Sequence, residues 1–184
     1  MKRILSFLFL ALALTACADL SSDNGSSSSA PTWEEAASNK LIQTSYQAAD
    51  QLIEQALPKL ENGRPLIVAT IVNINALEES SPLGRMIAEQ ISGQFSRKGL
   101  SMIEMKVRNN VYVKQNVGEL LLTREIKEIA QNHNAQAVVV GTYTESSQLV
   151  FINLKIIRPT DNVVLAAYDY AIPLDKVVRS LLRR

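Results

Sequence analysis

Two apolar runs rich in β-branched residues, Leu66 to Ile74 and Ala135 to Tyr143, constrain this chain of 184 residues more than any other feature. Neither run alternates apolar with polar, as a strand with one wet face would. Each therefore predicts a strand covered on both faces, which requires helices on two sides of a sheet. The intervening segments supply them. From Asn39, the residues Ile42, Tyr46, Ala49, Ile53, Ala56, Leu57 and Leu60 recur at steps of three and four, which predicts an amphipathic helix ending near Asn62-Gly63. Pro58 should tighten or end its last turn. Ser81-Pro82 suits an N-cap followed by proline at the first helical position, with Leu83, Met86, Ile87, Ile91 and Phe95 as the buried stripe and Gly99 as terminator. Leu100 to Val107 reads as a strand. Between Arg108 and Leu122 only Val111 to Val113 suggests a further short strand. Thr123 can cap a third helix, with Glu125 in its first turn and Ile126, Ile129 and Ala130 facing inward.

The C-terminal part has a different rhythm. Ser146 to Gln148 and Arg158 to Asn162 read as turns that separate the second buried run from strands at Leu149 to Ile157 and Val163 to Ile172. In the first of these, Val150, Ile152, Leu154 and Ile156 share one face, and Asn153 and Lys155 share the other. Asp175 can cap a last helix carrying Val177, Val178, Leu181 and Leu182, while Arg179, Arg183 and Arg184 complement its dipole. The expected fold class is α/β (α+β): a single mixed β-sheet with helices packed on it, a βαβ-type first half and a three-strand meander at the end. Residues 39–184 form this unit, with no internal repeat and no second domain.

The beginning of the chain has another purpose. Lys2 and Arg3, an apolar run from Ile4 to Leu14 and then small residues have the pattern of a secretory signal over residues 1–16. As a helix the run would cover roughly 16 Å of a ~30 Å hydrocarbon core, too little to span it. Leu14-Thr-Ala-Cys17 resembles the bacterial lipobox, which implies cleavage between Ala16 and Cys17 and a covalent diacylglycerol and N-acyl lipid on Cys17. Cys17 is the only cysteine, so no disulfide within the chain is expected. Ala18, rather than aspartate, follows it; by known lipoprotein sorting this implies the outer membrane. Residues 17–38 include a serine run and read as a flexible tether of about 20 residues, with a root-mean-square reach of roughly 25 Å and at most about 70 Å. Trp33 fits either a membrane-interface or partner anchor, or a first packed contact of the fold.

Chemistry-bearing residues are sparse. The formal net charge of +1 includes Lys2 and Arg3, so the exported part has no basic excess to suggest nucleic acid. His133 is the only histidine and falls at a helix end, where interaction with terminal carbonyls explains it. With one histidine and Cys17 committed to lipid, neither a nucleophilic triad nor a zinc site is expected. Glu78, Glu79, Glu145 and Asp169 are the carboxylates to weigh for glycan hydrolysis, Asp169 first because it lies within a strand. Adjacency in sequence does not by itself create a cleft between two carboxyl groups, and solvated charges explain them better. Gly84, Gly93, Gly99 and Gly141 lack nucleotide-loop spacing. Gly93, inside the second helix, fits close packing against another backbone better than mere tolerance. No catalytic residue, metal or further cofactor is expected.

The stretch from Ser81-Pro-Leu-Gly-Arg85 through Ile87-Ala-Glu-Gln90 and Phe95 to the strand at Met102 resembles the FlgO family of flagellar outer-membrane lipoproteins. Leu122-Thr-Arg-Glu125 and Val138-Val-Val-Gly-Thr-Tyr143 extend the resemblance, which runs from about Ala48 to Leu182. It implies a non-enzymatic protein of the outer membrane, needed for swimming motility and acting in assembly or stability of a ring structure at the flagellar base. Its implied partners are flagellar basal-body or ring proteins, with homo-oligomerisation open and the partner-facing surface unassigned. The implied fold is similar to the N-terminal domain of TolB and to the α/β part of curli secretion lipoproteins. Similar α/β domains on flexible tethers regulate peptidoglycan synthases, which is the alternative reading; the short tether counts against it.

Overall fold

The computed structural model describes residues 30–103, 112–114, 120–122 and 124–183. Helix α1 (Trp33–Ala37) precedes α2 (Lys40–Ala56), and a 3-10 turn over Leu57–Lys59 follows. Strands β1 (Leu66–Val68) and β2 (Val72–Asn73) lead to α3 (Pro82–Arg97) and β3 (Met102–Ile103). After a hairpin of β4 (Tyr112–Lys114) and β5 (Leu120–Leu122) come α4 (Arg124–Asn132), β6 (Ala137–Glu145), β7 (Leu149–Ile157), β8 (Val164–Pro173) and α5 (Lys176–Leu182). The main sheet runs β3-β1-β6-β7-β8, with β2 also paired to β6. β1 lies parallel to β3 and β6, and β6, β7 and β8 form an antiparallel meander. This is the expected mixed sheet. The β4–β5 hairpin is a separate two-stranded sheet.

Helices α2, α3 and α5 cover one face, where Leu52, Leu66, Ile71, Leu83, Ile87, Ile91, Phe95, Ile152, Leu154 and Ile156 form the larger core. A smaller core on the other face joins Ile126 and Ala130 of α4 to Ile67, Ala69, Val72, Val138 and Val140. Both predicted runs are thus covered on two sides, except at the end of the first, where Ile74 is exposed; each large aliphatic side chain fully buried contributes about 1.5–3 kcal/mol. The first run is not continuous, however. Val68 pairs with Val139 and Val72 with Thr142, so residues 69–71 hold one residue more than the facing stretch of β6. The extra residue reverses the alternation: Leu66 and Ile71 both enter the larger core, while Ile67, Ala69 and Val72 enter the smaller one.

The caps explain where helices start and stop. Asn39 Oδ1 accepts from Leu41 N–H (2.9 Å), Ser81 Oγ from Gly84 N–H (3.2 Å) and Asp175 Oδ1 from Val178 N–H (2.8 Å). At the end of α3, Gly99 adopts φ +85°; its N–H donates to the Ser96 carbonyl and the Leu100 N–H to the Phe95 carbonyl. This Schellman closure needs a left-handed residue, which glycine supplies without strain. α4 closes in the same way on Asn134 (φ 52°). The end of α2 differs from expectation. The α-helix stops at Ala56 rather than near Asn62, because Pro58 has no N–H to continue the ladder.

The buried stripe of α2 is also rotated from the expected one. Leu41, Ser45, Ala48, Ala49, Leu52 and Ala56 point inward, Ile42, Tyr46 and Ile53 lie at its margin, and Leu57 is exposed. The small residues let α2 sit close to β8. Lys59 Nζ donates to the Leu165 carbonyl (2.5 Å) and the Ala167 N–H donates to Gln55 Oε1 (3.4 Å), which occupies part of the free edge of β8. Another tie joins the first loop to β6: buried Gln136 donates to the Glu61 and Arg64 carbonyls and accepts from Glu61 N–H.

Candidate functional site

The sequence-derived candidates do not come together. His133 is exposed just past α4, where its backbone N–H caps the helix by donating to the Ile129 carbonyl (3.1 Å). Glu78 and Glu79 lie exposed in the β2–α3 loop, and Glu145 is exposed at the end of β6. Asp169 faces outward on β8 and accepts from Asn153 Nδ2 across the register pair, on an exposed face shared with Phe151, Lys155, Ala167 and Ala171. A solvated cross-strand pair explains this carboxylate. Among the described residues no group of three or more His, Cys, Asp or Glu side chains is placed to hold a metal ion, and no helix is long and apolar enough to cross a membrane. Ala16 and Cys17 lie outside the described residues. Trp33 is 89% exposed, so it is not a packed first contact of the fold.

The arrangement with most to offer a partner is a groove between α2 and α3. Tyr46, Met86, Glu89, Gln90, Gly93 and Arg97 line a space of about 370 Å³. Gly93 does not pack against another backbone, contrary to the sequence expectation: a methyl group there would meet nothing within 4 Å. Its bare backbone forms part of the groove floor instead. At one end the Arg97 guanidinium lies 4.0 Å above the Tyr46 ring, a contact of about 0.5–1 kcal/mol at an exposed site. Arg97 Nε donates to Gln94 Oε1 (3.0 Å), and Gln94 Nε2 donates to Asp50 Oδ1 (2.7 Å), which also pairs with Lys98 Nζ (3.2 Å). The chain of contacts fixes the guanidinium plane. Glu89 stands two turns earlier on the same helix, and neither Glu89 nor the terminal nitrogens of Arg97 make a hydrogen bond among the described residues. The Gln90 Oε1 atom is shielded from solvent without a partner there.

Sequence reasoning missed this groove. Tyr46 was legible as a helix-stripe residue and Gly93 as an anomaly, but their juxtaposition depends on how α2 packs on α3. Where α2 packs on β8, the hydroxyl of Tyr170 faces Ser45 Oγ without completing a hydrogen bond. Burial foremost pushes the Tyr170 pKa up to about 12, with the neighbouring Tyr168 adding to the rise and Ser45 opposing it.

Residues 1–18 match the model of the prokaryotic membrane lipoprotein lipid attachment site, which marks the chain as a lipid-anchored membrane protein. Among solved structures, the LpoB C-terminal domain from Salmonella enterica aligns at a TM-score of 0.52 with 11% identity, covering 73% of this chain and 98% of that domain. The LpoB C-terminal domain from Escherichia coli aligns at 0.49 with 13% identity, covering 70% and 97%. The likeness to the Salmonella enterica domain, at 11% identity, is one of fold. No curated protein matches the chain. Residues 46–177, more than half of the sequence and the whole span from the groove tyrosine into the last helix, match the family model described as FlgO protein, and the chain belongs to the FlgO family.

Proposed function

We propose that this protein is a non-enzymatic outer-membrane lipoprotein that supports flagellar motility, acting in assembly or stability of a ring structure at the flagellar base. The observation that carries the reading is the family match over residues 46–177. The lipid attachment site agrees with it, and on this reading Cys17 carries the acyl chains once the bond after Ala16 is cut. The lipid then fixes location, the tether gives the domain a reach of tens of ångströms, and the folded surface binds protein partners at the flagellar base. A clean deletion should abolish or shrink swimming while envelope growth stays normal; full swimming in the deletion would overturn the proposal.

A second reading, regulation of a peptidoglycan synthase, draws support from the fold shared with the LpoB C-terminal domain. It predicts cell-wall synthesis defects in the deletion and recovery of a synthase with the immobilised protein. A deletion that swims poorly but builds wall at the normal rate separates the two readings.

A further inference from the structure

We infer that the α2–α3 groove is a two-fold contact between two copies of this chain, centred on Gly93. The inference stands apart from the flagellar reading, since it rests only on the layout of the α2–α3 groove. Glu89, Gly93 and Arg97 follow one another at four-residue steps along one exposed stripe, with the glycine midway between opposite charges. At 1.5 Å per residue each charge lies about 6 Å along the axis from Gly93.

A second α3 crossing antiparallel at Gly93 therefore brings Glu89 of each copy level with Arg97 of the other. Two ion pairs form, related by the axis. A parallel or shifted helix would oppose like charges or leave both unpaired. Charge complementarity thus selects a second copy in one orientation. Two further details fit the same occupant. Nothing stands within 4 Å of the position a Gly93 side chain would take, so the backbone itself is open to approach. Stacking on Tyr46 and the Gln94 bond hold the Arg97 guanidinium ready, with its terminal nitrogens unbonded among the described residues. Such an isologous contact closes on two copies, so it supplies a dimeric unit; a ring would need a second, different surface.

The test uses the full chain, processed in a Gram-negative host. In Gly93→Cys the introduced thiol lies on the two-fold axis beside its own copy, within disulfide reach, and oxidation should give a disulfide dimer that the unsubstituted chain does not give. Adding Glu89→Arg alone, or Arg97→Glu alone, should lower dimer yield at least about tenfold, because each reversal places like charges together twice per dimer. Combining both reversals should restore it to within about twofold. Protease resistance of the monomer verifies folding of every variant. Sedimentation of the detergent-solubilised chain with Gly93 intact, bearing one reversal or both, should show the same loss and rescue. A folded Gly93→Cys protein without disulfide dimer, dimers indifferent to the single reversals, or a double reversal that fails to rescue would each overturn the inference.

Discussion

Two glycines of α3 should respond to alanine with opposite sign. Gly84 sits in the first turn, where a methyl group would lie 2.1 Å from the Ile71 carbonyl oxygen and 2.8 Å from Ser80 Oγ. The carbonyl belongs to the backbone between β1 and β2, and Ser80 Oγ donates to it (2.8 Å). No rotamer change can make room for the methyl of Gly84→Ala, since the obstacle is main chain. Helix and strand must separate by roughly 1 Å to reach ordinary contact.

The separation also stretches the bond from Ser80 to that carbonyl, worth about 1 kcal/mol, whereas the Ser81 cap lies within the same helical turn and moves with it. Overpacking adds about 1–3 kcal/mol, and the higher helix propensity of alanine returns up to about 1. The net expectation for Gly84→Ala is a loss of about 1–3 kcal/mol. Gly93→Ala meets nothing within 4 Å and should gain about 1 kcal/mol from propensity alone. Urea unfolding of the acyl-free chain (leader removed, Cys17→Ser), followed by circular dichroism in dilute protein, reads both effects. With a slope of about 2 kcal/mol/M, the Gly84→Ala midpoint should fall by about 0.5–1.5 M and the Gly93→Ala midpoint should rise by about 0.5 M. A Gly84→Ala protein as stable as the parent, or a destabilised Gly93→Ala protein, would refute the packing argument.

Tyr170 makes stability depend on pH. Its folded pKa of about 12 exceeds the ordinary value of 10, so its contribution is complete below pH 10 and is lost as pH rises toward 12, because the unfolded chain releases the proton first. The shift corresponds to roughly 2–3 kcal/mol, and Tyr170→Phe should remove that part of the alkaline loss. At pH 7 the same substitution should be neutral or mildly stabilising, since it deletes a shielded hydroxyl that lacks a hydrogen-bond partner; paired denaturant titrations at pH 8 and 11 check both statements. Gln136→Ala removes three hydrogen bonds between the loop after α2 and the start of β6, and should cost about 2–3 kcal/mol by the same unfolding assay. A cost under about 0.5 kcal/mol would show that water replaces the amide without penalty.

The caps were legible because each depends on one side chain and its neighbours within a single turn. Ser81, Gly99 and Asp175 all act where the sequence placed them. The two buried runs and the outward and inward faces of β7 were legible for a similar reason: Val150, Ile152, Leu154 and Ile156 differ in polarity from Asn153 and Lys155 at a strict period of two. The extra residue between Val68 and Val72 was not. A strand covered on both faces has no alternation to disturb, so a shift in its register leaves no mark on the sequence. The stripe of α2 was displaced because a polar residue, Ser45, lies at its centre while apolar Leu57 is exposed. Small residues there were selected by the closeness of β8, which periodicity does not report. Thr123, proposed as the cap of α4, and residues 104–107 of the expected strand Leu100 to Val107 lie outside the described residues. The groove was hidden for the same reason as the α2 stripe, because two helices build it and neither carries its pattern alone.

Whether this lipid-anchored member of the FlgO family works at the flagellar base is decided by purifying hook–basal bodies and quantifying the chain in them. The wild-type protein should co-purify with basal bodies and their outer-membrane components, and Cys17→Ser, which lacks the acyl chains, should be recovered in the soluble periplasmic fraction instead. Recovery of the wild-type protein only in membranes free of basal bodies would contradict a role at the flagellar base.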